Sequence, residues 1–385
     1  MKKNITLITS SRADWSYLLP LAKALRSSSK FNLRLVATGS HFLKEYGNSY
    51  KDILKSGLKI DRKIIIALKS DTPASISQSL GSYTEKFSQE FSQNTPDLIV
   101  FLGDRMEILS IALSALPFSI PLVHIGGGDI TQGAVDEGVR HALSKLSHVH
   151  FVSTKAAKQI IEQMGEEPWR VHHTGSLGID SIKNIQAVDI KILKEQVPFI
   201  EMQNFLLVTY HPQTISSMKV EDQIKWVLKG LQKSGKAVVF TYPNIDMTNK
   251  AIITAIEEYV GHHPNSLIIK NAGTRMYYSL VRYAAAVVGN SSSGIYDTPF
   301  LGTPAVNIGE RQLGRLKADN VIDVGFNDLK IAEAIKKACS KEFHQRSSKR
   351  VITHFFGDGH AAEKIVRVLA TLPYKNLLKK KFKIR

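Results

Sequence analysis

The chain has 385 residues, 43% of them hydrophobic and 22% charged, an ordinary globular composition whose length suits two domains better than one. Its single cysteine, Cys339, excludes an intramolecular disulfide framework and a cysteine-cluster metal site. No stretch reaches the roughly 18–20 unbroken apolar residues of a membrane span. The formal charge is +17, from 51 Lys and Arg against 34 Asp and Glu. Such an excess draws polyanions or a phosphorylated substrate, or it is simply a solvated basic surface, the reading preferred here. The opening "MKKNITLITSSRADW" lacks the apolar core of a signal peptide and reads as a first buried strand. A cytoplasmic location is the default expectation.

Short apolar runs alternate with amphipathic stretches along the chain. "NITLITS" (4–10), "LRLVATG" (33–39), "PDLIVFLGD" (96–104), "IPLVHIGGG" (120–128) and "SHVHFVST" (147–154) are each followed by a helical pattern. Repeated strand–helix units predict a parallel sheet with helices on both faces. The pattern lapses over 176–204, which contains Pro198 and reads as an interdomain connection with one helix. A second series follows with "FLLVTYHP" (205–212), "AVVFTYPN" (237–244), "SLIIKNAG" (266–273), "AAVVGNSSSG" (285–294) and "PAVNIGERQ" (304–312). The expected organisation is an α/β protein of two doubly wound domains. Residues 1–180 form the first, 181–204 the connection, 205–365 the second, and 366–385 a helix end with a basic tail. The helical pattern 359–372 either closes the second domain or crosses back to the first. Lys379, Lys380, Lys381, Lys383 and Arg385 make the tail basic. A frayed, solvated terminus is preferred to a membrane or nucleic-acid contact.

In doubly wound sheets ligands bind beyond the carboxyl ends of the strands, so the polar groups ending these runs are expected to line one cleft. The first strand ends at Arg12 and Asp14. Asp14 suits a helix N-cap, and Arg12 suits a phosphate. Asp104 and Arg105 follow another buried run, where an acid is a cap or a site group with equal weight. "HIGGGDIT" (124–131) lacks the dinucleotide fingerprint and the Lys-Ser/Thr of a phosphate loop. Its glycines instead let backbone approach a ligand, with Asp129 as a site carboxylate. Asp136 and Arg140 stand i,i+4 on a helix, where a plain ion pair is the simpler reading. In the second half, Ser291, Ser292 and Ser293 offer hydroxyl and N–H donors to phosphate at a helix start. Asp297 suits ribose hydroxyls, with capping or exposure as alternatives. Arg311 and Arg315 suit phosphates or a base, and His211 stands at a strand end with structural and site roles equally open.

"SRADW", "GDRMEIL", "GAVDEGVRHALSKLSHVHF", "YPNID", "GNSSSGIYD", "NIGERQLGR" and "FGDGHAAEKIV" occur in order over most of the chain. Together they resemble the UDP-N-acetylglucosamine 2-epimerase family, and its hydrolysing branch of sialic- and legionaminic-acid pathway enzymes most closely. The resemblance implies a GT-B-like arrangement of two Rossmann-like domains with a nucleotide sugar between them. It implies no metal and no cofactor, a homodimer or homotetramer, and no nucleic-acid partner or stable membrane association. It implies loss of UDP to a glycal and then addition of water, releasing a free 2-epimerised sugar of the N-acetylmannosamine type. By family position Asp104, Asp129, Asp136 and His211 are the acid/base groups. Arg12, Arg140, Ser291, Ser292, Ser293, Asp297 and Arg311 bind substrate, with Arg140 orienting Asp136.

Three positions depart from the branch. Gly126 stands where a histidine is usual, and Asp129 and Asp297 stand where glutamates are usual. A shorter Asp129 and a smaller residue 126 suggest a wider sugar pocket, suited to a 2,4-diacetamido-6-deoxy sugar on UDP or GDP. UDP-N-acetylglucosamine is the leading expectation and this sugar the alternative. A non-hydrolysing epimerase and a GT-B glycosyltransferase share the fold, and a polyanion-binding protein is the reading from another class.

Overall fold

A computed structural model of the chain describes residues 2–383 apart from 68, 69, 71, 133, 214, 244–248 and 350–355. The last three residues of "YPNID" and Arg385 therefore lie outside the described residues. The chain divides into two compact units. One comprises Met1–Asp129, Val135–Lys183 and His354–Arg385, the other Ile130–Ala134 and Asn184–Thr353.

The first unit is built on strands β1 (Lys3–Thr9), β2 (Phe31–Ala37), β3 (Arg62–Lys63), β4 (Leu98–Leu102), β5 (Leu122–Ile125), β6 (Val149–Val152) and β7 (Val171–His173). They form one parallel sheet in the order β3-β2-β1-β4-β5-β6-β7. Alternation sends side chains to both faces: Leu98 and Val100 of β4 enter one core, Ile99 and Phe101 the other. The first core is covered by Leu18, Leu21 and Leu25 of the helix Arg12–Ser27. The second is covered by Tyr83, Phe87 and Phe91 of the helix Pro73–Gln93.

The second unit repeats the plan with β8 (Phe205–Thr209), β9 (Ala237–Thr241), β10 (Ser266–Ile269), β11 (Ala286–Gly289), β12 (Ala305–Ile308) and β13 (Val321–Val324). Their order is β10-β9-β8-β11-β12-β13, again parallel. Leu206 and Val208 face one core, Phe205 and Leu207 the other. β3, β7 and β13 escape the sequence reading because they are two to four residues long and not fully buried. Each sheet reverses its winding beside its first strand, between β1 and β4 and between β8 and β11, where doubly wound sheets bind ligands.

The expected boundaries change at both ends of the second domain. Leu193, Val197 and Ile200 of the expected connection are packed into the second unit's core. The helix Ala361–Leu369 crosses back to the first unit, where Ala361, Ile365 and Leu369 join the core. The carboxylate of Asp180 caps it, accepting from the N–H groups of Ala361 at 3.0 Å and Ala362 at 2.8 Å. The second domain thus ends before that helix and not at 365. The tail is not frayed either: buried Arg170 donates to the carbonyls of Leu377 and Lys379, each at 2.9 Å. No helix among the described residues is long and apolar enough to cross a membrane.

Candidate active site

In the first unit, the turn after β1 is shaped by Asp14. Ser11 is the N-cap, and Asp14 is the third helical residue of a capping box, not the N-cap expected. Its carboxylate accepts from the N–H groups of Ser10 and Ser11, both at 2.7 Å. Burial pushes its pKa up against these bonds and the nearby Arg105. Such an acid is committed to holding the turn, which sets Arg12 at the first helical position, partly exposed.

Asp104 follows β4, and its carboxylate pairs with the guanidinium of Arg140. Arg140 is 1% exposed, and its other arm donates to the Asp129 carbonyl at 2.8 Å. One planar fork therefore ties the turn after β4 to the glycine loop after β5. Helical spacing suggested Asp136 for Arg140; the pairing with Asp104 is one that spacing did not suggest. Asp136 opens the helix Asp136–Leu146, half-buried. Behind the fork, His124 Nε2 donates to the Gly103 carbonyl at 2.7 Å. Ser144 Oγ sits 3.2 Å from His124 Nδ1 and 3.0 Å from the Arg140 carbonyl. Burial lowers the His124 pKa to about 3, so the ring is neutral and structural.

The three glycines have separate reasons. A Cβ on Gly128, at φ +79°, would run into the Ala157 carbonyl. One on Gly127 would press on Ser144 Oγ and His124 Nδ1, at 2.7 and 2.9 Å. These two serve packing, whereas the sequence suggested approach to a ligand. Gly126, at φ +84°, has open space: a Cβ would meet nothing nearer than the Gly103 nitrogen at 4.0 Å.

In the second unit, the turns after β8 and β11 are joined by Asn290, which the sequence reading passed over. Its side chain is fully buried. Oδ1 accepts from the His211 N–H at 2.7 Å, and Nδ2 donates to the His211 carbonyl at 2.8 Å. Its own carbonyl accepts from Arg311 Nη1 at 3.2 Å and Gln312 Nε2 at 2.7 Å. His211, the serine turn and Arg311 are thereby assembled around one amide. The only sequence signal was an asparagine directly after a buried strand.

Ser292 precedes a helix of four residues, Ser293–Tyr296, so the expected helix start is short. The Ser293 Oγ is buried with no hydrogen-bond partner among the described residues. Asp297 directly follows this turn and is 1% exposed, which rules out the solvent-exposed reading. Arg315, expected to suit phosphates or a base, is engaged by its own unit. It donates to the Ile130 carbonyl at 3.2 Å and Thr131 Oγ1 at 3.0 Å, within the same unit. Beyond the ends of β8, β12 and β13 lies a cavity of about 1030 Å³, lined by Gln213, Ser216, Met218, Glu310 and Lys317 among others. No group of three or more His, Cys, Asp or Glu side chains among the described residues has metal-binding geometry.

Residues 23–370 match the profile of the family described as UDP-N-acetylglucosamine 2-epimerase. The chain belongs to the UDP-N-acetylglucosamine 2-epimerase family. It is 39% identical over 346 residues to a GDP/UDP-N,N'-diacetylbacillosamine 2-epimerase (hydrolyzing) of Campylobacter jejuni, covering 89% of both chains. It is 32% identical over 375 residues to a UDP-N,N'-diacetylbacillosamine 2-epimerase (hydrolyzing) of Legionella pneumophila, covering 97% of both. This epimerase is therefore an enzyme of the hydrolysing 2-epimerase type. Its fold matches the crystal structure of UDP-GlcNAc 2-epimerase from Neisseria meningitidis bound to UDP-GlcNAc. That likeness has a TM-score of 0.79 and 18% identity, over 96% of this chain and all of the other.

Proposed function

We propose that this epimerase acts on a nucleotide-linked 2,4-diacetamido-6-deoxy hexose of the N,N'-diacetylbacillosamine type. It releases the nucleoside diphosphate and the free 2-epimerised sugar. The carrying observation is the near end-to-end likeness to two hydrolysing enzymes named for that sugar. It favours this substrate over UDP-N-acetylglucosamine, the leading expectation from sequence. The open side of Gly126 supports the choice, since it leaves room beside Gly103 for a larger sugar.

The reaction breaks two bonds at the sugar. A base takes the C2 proton while the C1–O bond to the diphosphate cleaves, leaving a C1–C2 double bond. Water then supplies hydroxyl to C1, and a proton reaches C2 from the opposite face. The C2 proton has no neighbouring carbonyl, so its loss needs the departing diphosphate stabilised. Arg12, Ser291, Ser292, Ser293 and Arg311 are assigned to that task, and the buried unpartnered Ser293 hydroxyl supports it. Asp297 is assigned to the ribose. Inversion needs proton-transfer groups on both faces, and Asp104, Asp129, Asp136 and His211 are assigned to them. Arg140 orients Asp104 and the Asp129 backbone. The enzyme is proposed to work in the cytoplasm as a homodimer or homotetramer.

The test is turnover in D₂O of UDP- and GDP-linked diacetylbacillosamine against UDP-N-acetylglucosamine. Stoichiometric nucleoside diphosphate and a free sugar with deuterium at C2 are expected, fastest from a diacetamido substrate. Faster turnover of UDP-N-acetylglucosamine would overturn the substrate assignment, and return of an intact nucleotide sugar would overturn hydrolysis.

A further inference from the structure

The basic tail is held in place with Leu377 inward and Leu378 and Phe382 outward. Leu377 is fully buried in the first unit's core. Lys380 turns inward, its Nζ 2.9 Å from Glu166, 2.8 Å from the Lys145 carbonyl and 2.6 Å from the Ser147 carbonyl. The Lys381 N–H donates to Glu167 at 3.3 Å, and the Lys383 N–H to the Gly165 carbonyl at 3.0 Å. Burial pushes the Glu166 pKa up, but bonds from His150, Lys145 and Lys380 outweigh it and hold the acid at about 2. Pinned this way, the strap leaves Phe382 68%, Leu378 47% and neighbouring Trp169 41% exposed. Arg170 brings Trp169 to the strap, since it donates to the carbonyls of Leu377 and Lys379 that flank Leu378. Arg170 lies over the Trp169 ring at 4.2 Å and pairs with Glu167, the acid that receives Lys381.

We propose that this strap and Trp169 form a reversible docking surface for an anionic lipid bilayer. Exposed apolar side chains gathered on one fixed strap mark an interaction site, and here Leu378 and Phe382 alternate along the chain with exposed Lys379, Lys381 and Lys383. Those three make no ion pair among the described residues, whereas Glu166 and Glu167 are already matched by Lys145, Lys380 and Arg170. Apolar and aromatic tips among free lysines suit the headgroup region of an anionic membrane. A second copy docking through this same patch by a two-fold contact would set the lysine cluster against itself. A nucleic acid would need free aromatic faces for stacking. Here Arg170 already lies over one face of Trp169 and Lys145 Nζ over one face of Phe382 at 4.6 Å, so both rings offer an edge and one face rather than an open stacking platform. The backbone is already ordered, so docking carries little further entropy cost.

Co-sedimentation of the full chain with phosphatidylglycerol–phosphatidylcholine vesicles, against pure phosphatidylcholine, tests the surface at physiological salt. Binding to the anionic vesicles alone is expected. Lys379→Gln, Lys381→Gln and Lys383→Gln should each weaken it about fivefold, and the triple variant on the order of 100-fold. A Leu378→Ser, Phe382→Ser variant should weaken it with every lysine intact. Epimerase turnover in solution should be unchanged in all variants, which separates this outcome from failure of the proposed reaction. Equal binding to both vesicles, no binding, or an unaltered triple variant would overturn the proposal. So would tighter binding to a single-stranded RNA oligonucleotide that the serine variant leaves intact.

Discussion

Asn290→Ala removes the amide that exchanges two hydrogen bonds with the His211 backbone, at 2.7 and 2.8 Å. Both of these bonds to the His211 backbone are then lost, at about 1–3 kcal/mol each, so a loss of roughly 2–6 kcal/mol in the second unit is expected. The effect on turnover has a separate origin. His211 is held by the side chain, whereas Arg311 is held by the Asn290 carbonyl, which alanine keeps. The variant should therefore bind nucleotide with KM changed by less than about threefold. A shift of about 1 Å at His211 should lower kcat roughly 100-fold. Steady-state release of nucleoside diphosphate, run at a temperature where denaturation shows the variant folded, reads both effects. Asn290→Asp keeps the acceptor for the His211 N–H but sets a carboxylate against the His211 carbonyl, so it should recover only part of kcat. A folded alanine variant with wild-type kcat would refute the idea that Asn290 positions His211.

Arg140→Lys keeps the charge but cannot hold Asp104 and the Asp129 carbonyl with one planar fork, so kcat should fall by about 100-fold or more. Full kcat in that variant would show that the fork does not orient the acids. Gly126→His fills the open side next to Gly103. The ratio of kcat/KM for a diacetamido substrate over UDP-N-acetylglucosamine should drop about tenfold, at a cost of roughly 1–2 kcal/mol for a side chain at φ +84°; an unchanged ratio would remove residue 126 from specificity. Acid should destabilise the protein early. Burial lowers His41 and His124 to about 3 and His148 to about 4, from an ordinary 6.5. The unfolded chain takes up these protons first, so stability is full above pH 6.5 and declines as pH falls toward the folded values. Each histidine removes about 2 kcal/mol by pH 5. Denaturant titrations at pH 7.5 and 5 should show that fall, and alanine at any of the three should flatten it.

The alternation of apolar runs with amphipathic helices was enough to read two doubly wound units, because strand burial on two faces leaves a local signature. Polar groups at strand ends were legible for the same reason: the winding reverses beside β1 and β8, and doubly wound sheets bind ligands at such turns, where the proposed site residues stand. What the sequence could not decide were partnerships across long chain separations. Helical spacing suggested Asp136 for Arg140, and only tertiary packing brought it Asp104, 36 residues away. Asn290 meets His211 from 79 residues on, and Asp180 caps a helix 181 residues on. A charge run at the chain end read as a frayed terminus, and the buried Arg170 and Glu166 made it a fixed strap. Even the glycine run divided only in three dimensions, with Gly127 and Gly128 constrained by neighbours and Gly126 open. Local periodicity reports which side of an element is buried; a buried polar group must find a partner wherever the fold brings one.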